Sequence, residues 1–157
     1  MSLTNEALQQ IDDTRTYFDR TTRCLDEKDS NFRATPDTMT VAQQVAHAAQ
    51  TLDWFREGAF DDHWDMDFET ATAATTQVTS LDEARLWMSN AWERLRSRVA
   101  ASNDVELGGS MADNPILGTR RRYHVVDAIV DHCGHHRGAL AVYARLAGKV
   151  PAMPYMD

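Results

Sequence analysis

Four segments of the chain repeat hydrophobic residues every three or four positions, which is the period of an α-helix with one buried face. These segments span residues 4–26, 40–57, 81–101 and 122–147. No run of residues alternates convincingly between apolar and polar as a half-buried strand does. The pattern therefore predicts an all-α protein built on four long helices.

Two of the predicted helices begin with a recognisable capping sequence. Thr40 is followed three residues later by Gln43, and Ser80 is followed by Glu83. In such a capping box the hydroxyl and the longer side chain each satisfy a free backbone N–H of the first turn. We therefore place the starts of the second and third helices at these positions.

Glycines mark the predicted ends of the second and fourth helices. Gly58 follows the second periodic segment and Gly148 follows the fourth, where two later prolines also oppose continuation. Three polar connectors remain, at residues 27–39, 59–79 and 102–121. The middle connector is the one in which a short helix is conceivable.

Four amphipathic helices of similar length bury their apolar faces best against one another, as a four-helix bundle. We find no internal repeat and no domain-scale linker, so we expect one domain over residues 1–157. The connectors are longer than a minimal up-and-down bundle requires, so one or two of them are expected to cross the bundle.

Composition narrows the function classes. A net charge of −8 disfavours binding to nucleic acid or anionic lipid. No apolar stretch approaches the roughly 20 residues that span a bilayer, and no signal peptide is visible. The two cysteines, Cys24 and Cys133, indicate reduced thiols in a cytoplasmic protein rather than a disulfide framework.

The candidate chemistry lies in the fourth helix, where His132 and His136 are four residues apart and project from one face. They occupy the apolar seam of that helix, at positions where leucine would be expected. A buried imidazole needs a partner, and although a single core histidine is usually only hydrogen-bonded, two in one seam favour a divalent metal. Cys133 points about 100° away around the helix and is not counted as a ligand.

Two histidines leave a metal ion under-coordinated, so a third ligand must come from another helix. His47 is the best candidate, since small residues surround it in the second helix. It lies off the main apolar stripe of that helix, on a side shared with Trp54, so its burial depends on a second neighbouring helix. His135 and His63 are expected to be solvated.

Other conspicuous residues receive structural interpretations. We interpret the basic run 120–122 as a solvated helix start and the aspartates of residues 61–67 as a solvated loop without the pattern of a calcium site. The four tryptophans are expected in the core or in dimer contacts. No glycine-rich phosphate loop or serine-nucleophile motif is present.

The histidine of the second helix, the HxxHHRG pattern at His132–Gly138 and the helix that ends at Gly148 before proline together resemble the DinB-like family. The resemblance covers the whole chain. It implies a DinB/YfiT-like four-helix bundle with up-down-down-up connectivity, often a homodimer, and one zinc or nickel ion held by His47, His132 and His136. Ala139 departs from the glutamine that relatives commonly carry there, which affects no ligand.

The resemblance also implies an activity, because relatives include transferases and isomerases that use small thiols such as bacillithiol or mycothiol. Three neutral imidazoles leave the ion its full charge and an open position, so a bound thiol would be deprotonated and held as a nucleophile. We therefore expect a thiol-dependent S-transferase acting on an electrophilic substrate. A hydrolase using bound hydroxide and a non-catalytic, stress-related metal-binding bundle remain alternatives, and no side chain is assigned a catalytic role.

Overall fold

The computed structural model of the chain describes residues 2–156, and the regular secondary structure of this part is helical, without a strand. Ser110 and Arg121 form an isolated bridge in it. A short 3-10 turn spans Glu27–Asp29. The six α-helices are α1 (Leu3–Thr22), α2 (Val41–Asp61), α3 (Phe68–Thr76), α4 (Leu81–Ala100), α5 (Asp104–Gly108) and α6 (His124–Leu146).

The four long helices form the body of the protein, with α1 and α2 each packed against both α4 and α6. Helices α2 and α6 run in opposite directions. The start of α6 meets the end of α2, where Arg122 Nε donates to Ala59 O at 2.8 Å, and its end meets the start of α2, where Tyr143 Oη donates to Met39 O at 3.0 Å. This antiparallel pair brings the histidine segments of both helices to the same level.

Helix α1 ends at Thr22, earlier than the predicted end at residue 26. Leu25 still packs into the core at 1% exposure although its backbone is no longer helical, which is why the apolar stripe extends past the helix. Arg85 Nη2 donates to Thr22 O at 2.9 Å and to Leu25 O at 3.0 Å, so the carbonyls of this helix end are satisfied from α4.

Helix α2 does not stop at Gly58, and that prediction is wrong. The helix continues to Asp61 and is capped by Asp62, whose backbone is left-handed with φ 53°. A Cβ at residue 58 would lie 2.4 Å from the indole of Trp64. Glycine stands there because the Trp64 ring folds back onto the helix backbone, so the residue serves packing rather than termination.

The predicted N-caps are observed. Thr40 and Gln43 form the full capping box, with Gln43 N to Thr40 Oγ1 at 3.2 Å and Thr40 N to Gln43 Oε1 at 2.9 Å. At the start of α4 only half of the predicted capping box forms, since Ser80 Oγ accepts from Glu83 N at 3.2 Å but the Glu83 side chain does not return a bond to the backbone N–H of Ser80. The next free amides of α4 donate to side chains of the first connector instead, which ties that connector to the start of the helix.

The connectors contain more structure than their composition predicts. The middle one holds α3, as was conceivable, while α5 in the third connector was not expected; Asn103 Oδ1 caps α5 by accepting from Glu106 N at 2.9 Å. Arg120 and Arg121 are exposed as predicted. Arg122 was also expected to be solvated, but it is partly buried and its Nε donates a hydrogen bond to Ala59 O of α2. Helix α6 begins two residues later than predicted and ends before Gly148, where φ is 77°.

The tryptophans belong to the core. Trp92 is 1% exposed, and Trp54, Trp64 and Trp87 pack against the core from the bundle edge. Trp87 Nε1 donates to Asp53 Oδ2 at 3.2 Å. None of the helices within residues 2–156 is both long and apolar enough to span a membrane.

Candidate metal centre

Three histidine rings from two antiparallel helices meet in the seam between α2 and α6. The ring centroids of His47 lie 5.2 Å from His132 and 5.0 Å from His136, and the latter two are 4.6 Å apart. One nitrogen of each ring can be chosen so that all three lie within 4.8 Å of one another. The structure thus brings together the three residues that the sequence singles out.

His47 reaches this seam because α2 contacts two long helices at once. Its main apolar stripe is buried in the bundle, while the side that carries His47 faces α6. His136 is 5% exposed and His47 and His132 are half-buried. The off-stripe position therefore reflects a second packing face, and the cluster lies between core and solvent.

Gln44 is the residue of the site that sequence analysis missed. Its Oε1 accepts a short hydrogen bond from Nδ1 of His136, and its side chain is buried with the cluster. A ring whose Nδ1 carries the proton presents an unprotonated Nε2. The available signal was a polar residue at a core-facing position of α2, three residues before His47.

His132 contributes a buried nitrogen without a partner. Its Nε2 is inaccessible to solvent and has no hydrogen-bond partner among the described residues. An unsatisfied buried nitrogen costs roughly 1–3 kcal/mol, so an atom in this position calls for a ligand. Its ring lies beside two other imidazoles, and a cation bound among the three would satisfy a lone pair of this kind.

All three rings are held neutral. Burial lowers the pKa of His136 to about 3, and that of His132 to about 4, with the neighbouring imidazoles adding to the effect. Burial also lowers the pKa of His47, with a further contribution from His135. Neutral imidazoles keep their lone pairs at pH 7, which is the state that coordinates a metal ion.

The donor set fits a divalent transition metal. Three imidazoles suit zinc, nickel or iron(II), and a catalytic zinc site takes three protein ligands with a further position for water or substrate. Within the described residues the group contains no fourth histidine, cysteine, aspartate or glutamate. The cluster can therefore hold an ion and still leave a coordination position open.

The neighbouring residues take no part in this group. His135 and His63 are exposed, as expected. Cys133 is buried at 1% exposure, and burial raises the pKa of its thiol to about 12, so it remains protonated. Both cysteines are free, in agreement with the sequence analysis. The aspartates 61, 62, 65 and 67 are exposed, and Asp65 and Asp67 accept hydrogen bonds from backbone N–H groups around the start of α3.

Comparisons with known proteins agree with this architecture. The sequence model of the DinB superfamily matches residues 10–140. A crystal structure of a Streptococcus pneumoniae protein from a structural genomics consortium is similar over 92% of this chain and 91% of that chain, with a TM-score of 0.72 and 14% sequence identity. At that identity the likeness concerns the fold alone. No curated protein matches the chain.

Proposed function

We propose that this chain, which belongs to the DinB superfamily, holds one divalent ion, zinc or nickel, between His47, His132 and His136. The observation that carries the proposal is the convergence of three neutral imidazoles within 4.8 Å. The unpartnered Nε2 of His132 and the Gln44 contact to Nδ1 of His136 support it, because each leaves a ring nitrogen without a protein partner.

We further propose that the protein is a thiol-dependent S-transferase of the cytoplasm. A bound ion would supply a Lewis acid that lowers the pKa of a coordinated small thiol, which then attacks an electrophilic substrate. The protein's part is to hold three uncharged ligands, with no fourth ligating side chain in the group among residues 2–156, so that the charge of the ion is not offset. The half-buried position of His47 and His132 supports access from solvent on one side.

Metal content tests the ligand assignment. Protein purified without a nickel column should contain close to one zinc or nickel ion per chain. His132→Ala should lower that content sharply, because two imidazoles complete no such site. His135→Ala is the matched control on the same helix and should retain the metal. If His135→Ala lost the metal and His132→Ala kept it, His135 would be the ligand on α6 and the assignment would be wrong.

The transferase activity is tested separately with a cobalt-substituted protein. A small thiol should change the visible spectrum of the cobalt ion, and transfer to an electrophile should be lost in His132→Ala. If the spectrum responds to no thiol in a panel that includes bacillithiol and mycothiol, the transferase proposal fails while the metal site stands. Ester or amide hydrolysis by the same protein would then favour the hydrolase.

We also infer the up-down-down-up connectivity within one domain. Supporting contacts are the antiparallel pairing of α2 with α6 and a parallel pairing of α2 with α4, in which Trp87 contacts Asp53 and the Arg98 guanidinium lies 4.4 Å from the Phe60 ring. Helices α1 and α2 are then diagonal neighbours across the bundle. In this arrangement α2 lies between α4 and α6, so that its apolar stripe is buried in the bundle while His47 faces α6.

A homodimer is the remaining proposal that rests on the family. The second half of α6 and the residues after it expose apolar side chains, with Val142 at 54%, Leu146 at 59% and Val150 at 86%. Such a patch is suited to a second copy of the chain. Sedimentation at micromolar concentration should give the mass of a dimer, and a monomer would reject the proposal.

A further inference from the structure

A cavity of about 340 Å³ lies on the opposite side of the bundle from the histidine cluster. It opens between α1 and α4, and Val45 of α2 contributes to its wall. Helix α6 supplies no residue to it, and neither does any histidine. The cavity is therefore separate from the proposed metal site, and what it binds is an independent question.

The floor of this cavity is apolar with one polar exception. Phe18, Val45, Met88 and Trp92 line it, each at 3% exposure or less. The indole Nε1 of Trp92 is inaccessible and has no acceptor among residues 2–156. A buried N–H without an acceptor is costly, and an indole nitrogen can only donate. The floor is thus an apolar surface, and one of the side chains that form it carries a buried N–H without an acceptor.

The rim of the cavity carries an excess of positive charge. Arg15 is paired with Glu93 and lies 3.9 Å from Asp19. Arg23 and Arg85 also line the cavity, and within the described part of the chain neither forms an ion pair with a carboxylate. Asp19 lines the same cavity and interacts electrostatically with both Arg15 and Arg85, so the lining holds three arginines against one aspartate, and Arg23 is the guanidinium that no carboxylate of the lining offsets.

Arg85 is held in place by backbone carbonyls, and its charge also interacts with that of Asp19. Its Nη2 donates to the carbonyls of Thr22 and Leu25, which anchors the side chain across the end of α1. A guanidinium carries five N–H donors in a planar fork that matches a carboxylate. The anchoring uses one of its nitrogens, so the remaining N–H groups can still donate to a ligand.

From these features we propose that the cavity between α1 and α4 binds a small organic carboxylate with an aromatic body. The carboxylate lies at Arg23 and Arg85, and the ring packs on Phe18, Met88 and the indole of Trp92. Apolar pockets of this size with a few convergent polar groups are typical of small-molecule sites.

The test uses para-hydroxyphenylacetate as the probe and tyrosol, its uncharged alcohol analogue, as the matched ligand. The four tryptophan indole N–H groups give separate resonances in a heteronuclear NMR spectrum, and Trp92→Phe assigns one of them. The probe should shift the Trp92 resonance saturably in the range up to about 10 mM. The Trp87 resonance, whose N–H is already bound to Asp53, should not move.

Charge recognition is tested by the ligand and by the protein. Tyrosol should bind at least about tenfold more weakly than the carboxylate, and Arg23→Gln should weaken the carboxylate by about tenfold. Arg120→Gln makes the same charge change on an exposed residue outside the cavity and should leave the affinity unaltered. An unmoved Trp92 resonance would overturn the proposal, and so would equal binding of the alcohol or equal weakening by the two arginine variants.

Discussion

Replacing Gln44 by leucine removes the hydrogen-bond acceptor of His136 while keeping a side chain of similar volume. The Nδ1–H of His136 then has no acceptor in a site where the histidine is 5% exposed and the glutamine 9%. Leaving a buried donor unsatisfied costs about 1–3 kcal/mol. We therefore expect the metal-free Gln44→Leu variant to lose about that much unfolding free energy.

The same change should weaken metal binding, since the hydrogen bond selects the tautomer that presents Nε2. Loss of such an orienting partner typically lowers metal affinity by about 10–100-fold. Affinity is measured by competition for zinc with a chromophoric chelator. Unfolding of the chelator-treated protein in urea gives the stability separately, so the two effects are resolved in one set of variants.

Gln50→Leu is the control on the same helix. Gln50 Nε2 donates to Ala71 O at 2.8 Å, away from the histidines, so its loss should cost stability and leave metal affinity unchanged. Equal affinities in the two leucine variants would refute an orienting role for Gln44. Equal affinity together with full stability would refute the hydrogen bond itself.

Two further outcomes follow from the structure. His132 and His136 have pKa values near 4 and 3 in the folded chain and 6.5 in the unfolded chain, so between pH 6.5 and 4 the unfolded chain takes up protons on these residues and the folded chain does not. The free energy of unfolding of the metal-free protein should therefore fall by up to about 1.4 kcal/mol per pH unit per histidine from pH 6.5 toward 4. A free energy of urea unfolding that does not change with pH in this range would contradict the pKa values. Gly58→Ala should lower the free energy of unfolding by about 1–3 kcal/mol, because the added Cβ meets the Trp64 ring. Gly138→Ala should raise it by up to about 1 kcal/mol, because a Cβ there has no atom within 4 Å and alanine favours the helix. A change of the same sign in both variants would be inconsistent with this packing.

The four long helices could be predicted because their periodicity and capping residues are local signals. Their ends could not, since they depend on distant contacts. Leu25 belongs to the apolar stripe of α1 yet lies beyond the helix, where Arg85 satisfies the carbonyls of its end. A glycine at position 58 locally predicts a helix end, but here glycine is needed because the Trp64 ring packs against the backbone, and the helix continues past it.

For the site, His132 and His136 stand out from sequence because both lie on one helix at a spacing that converges. His47 has no comparable local signal and lies off the apolar stripe of α2, so its place depended on knowing that α2 also faces α6. Gln44 was not identified, since a lone glutamine in a helix usually faces solvent. Its role is visible only once the ring of His136 is placed beside it.

The features that prepare this cluster for a metal are those that weaken the metal-free fold in acid. Burial keeps His132 and His136 unprotonated, which retains the lone pairs that an ion needs, but it also denies the folded state the protons that the unfolded chain accepts. A bound ion would occupy those lone pairs in the folded state and add its binding free energy to folding. Because the pKa values of His132 and His136 in the folded chain are near 4 and 3, protons compete with zinc for these ligands only as the pH approaches 4. The stabilisation by zinc should therefore change little between pH 7 and 5 and fall steeply below pH 5. Thermal unfolding with and without zinc from pH 7 to 4 tests the argument, and a zinc effect that persists undiminished at pH 4 would show that the histidines are not the ligands.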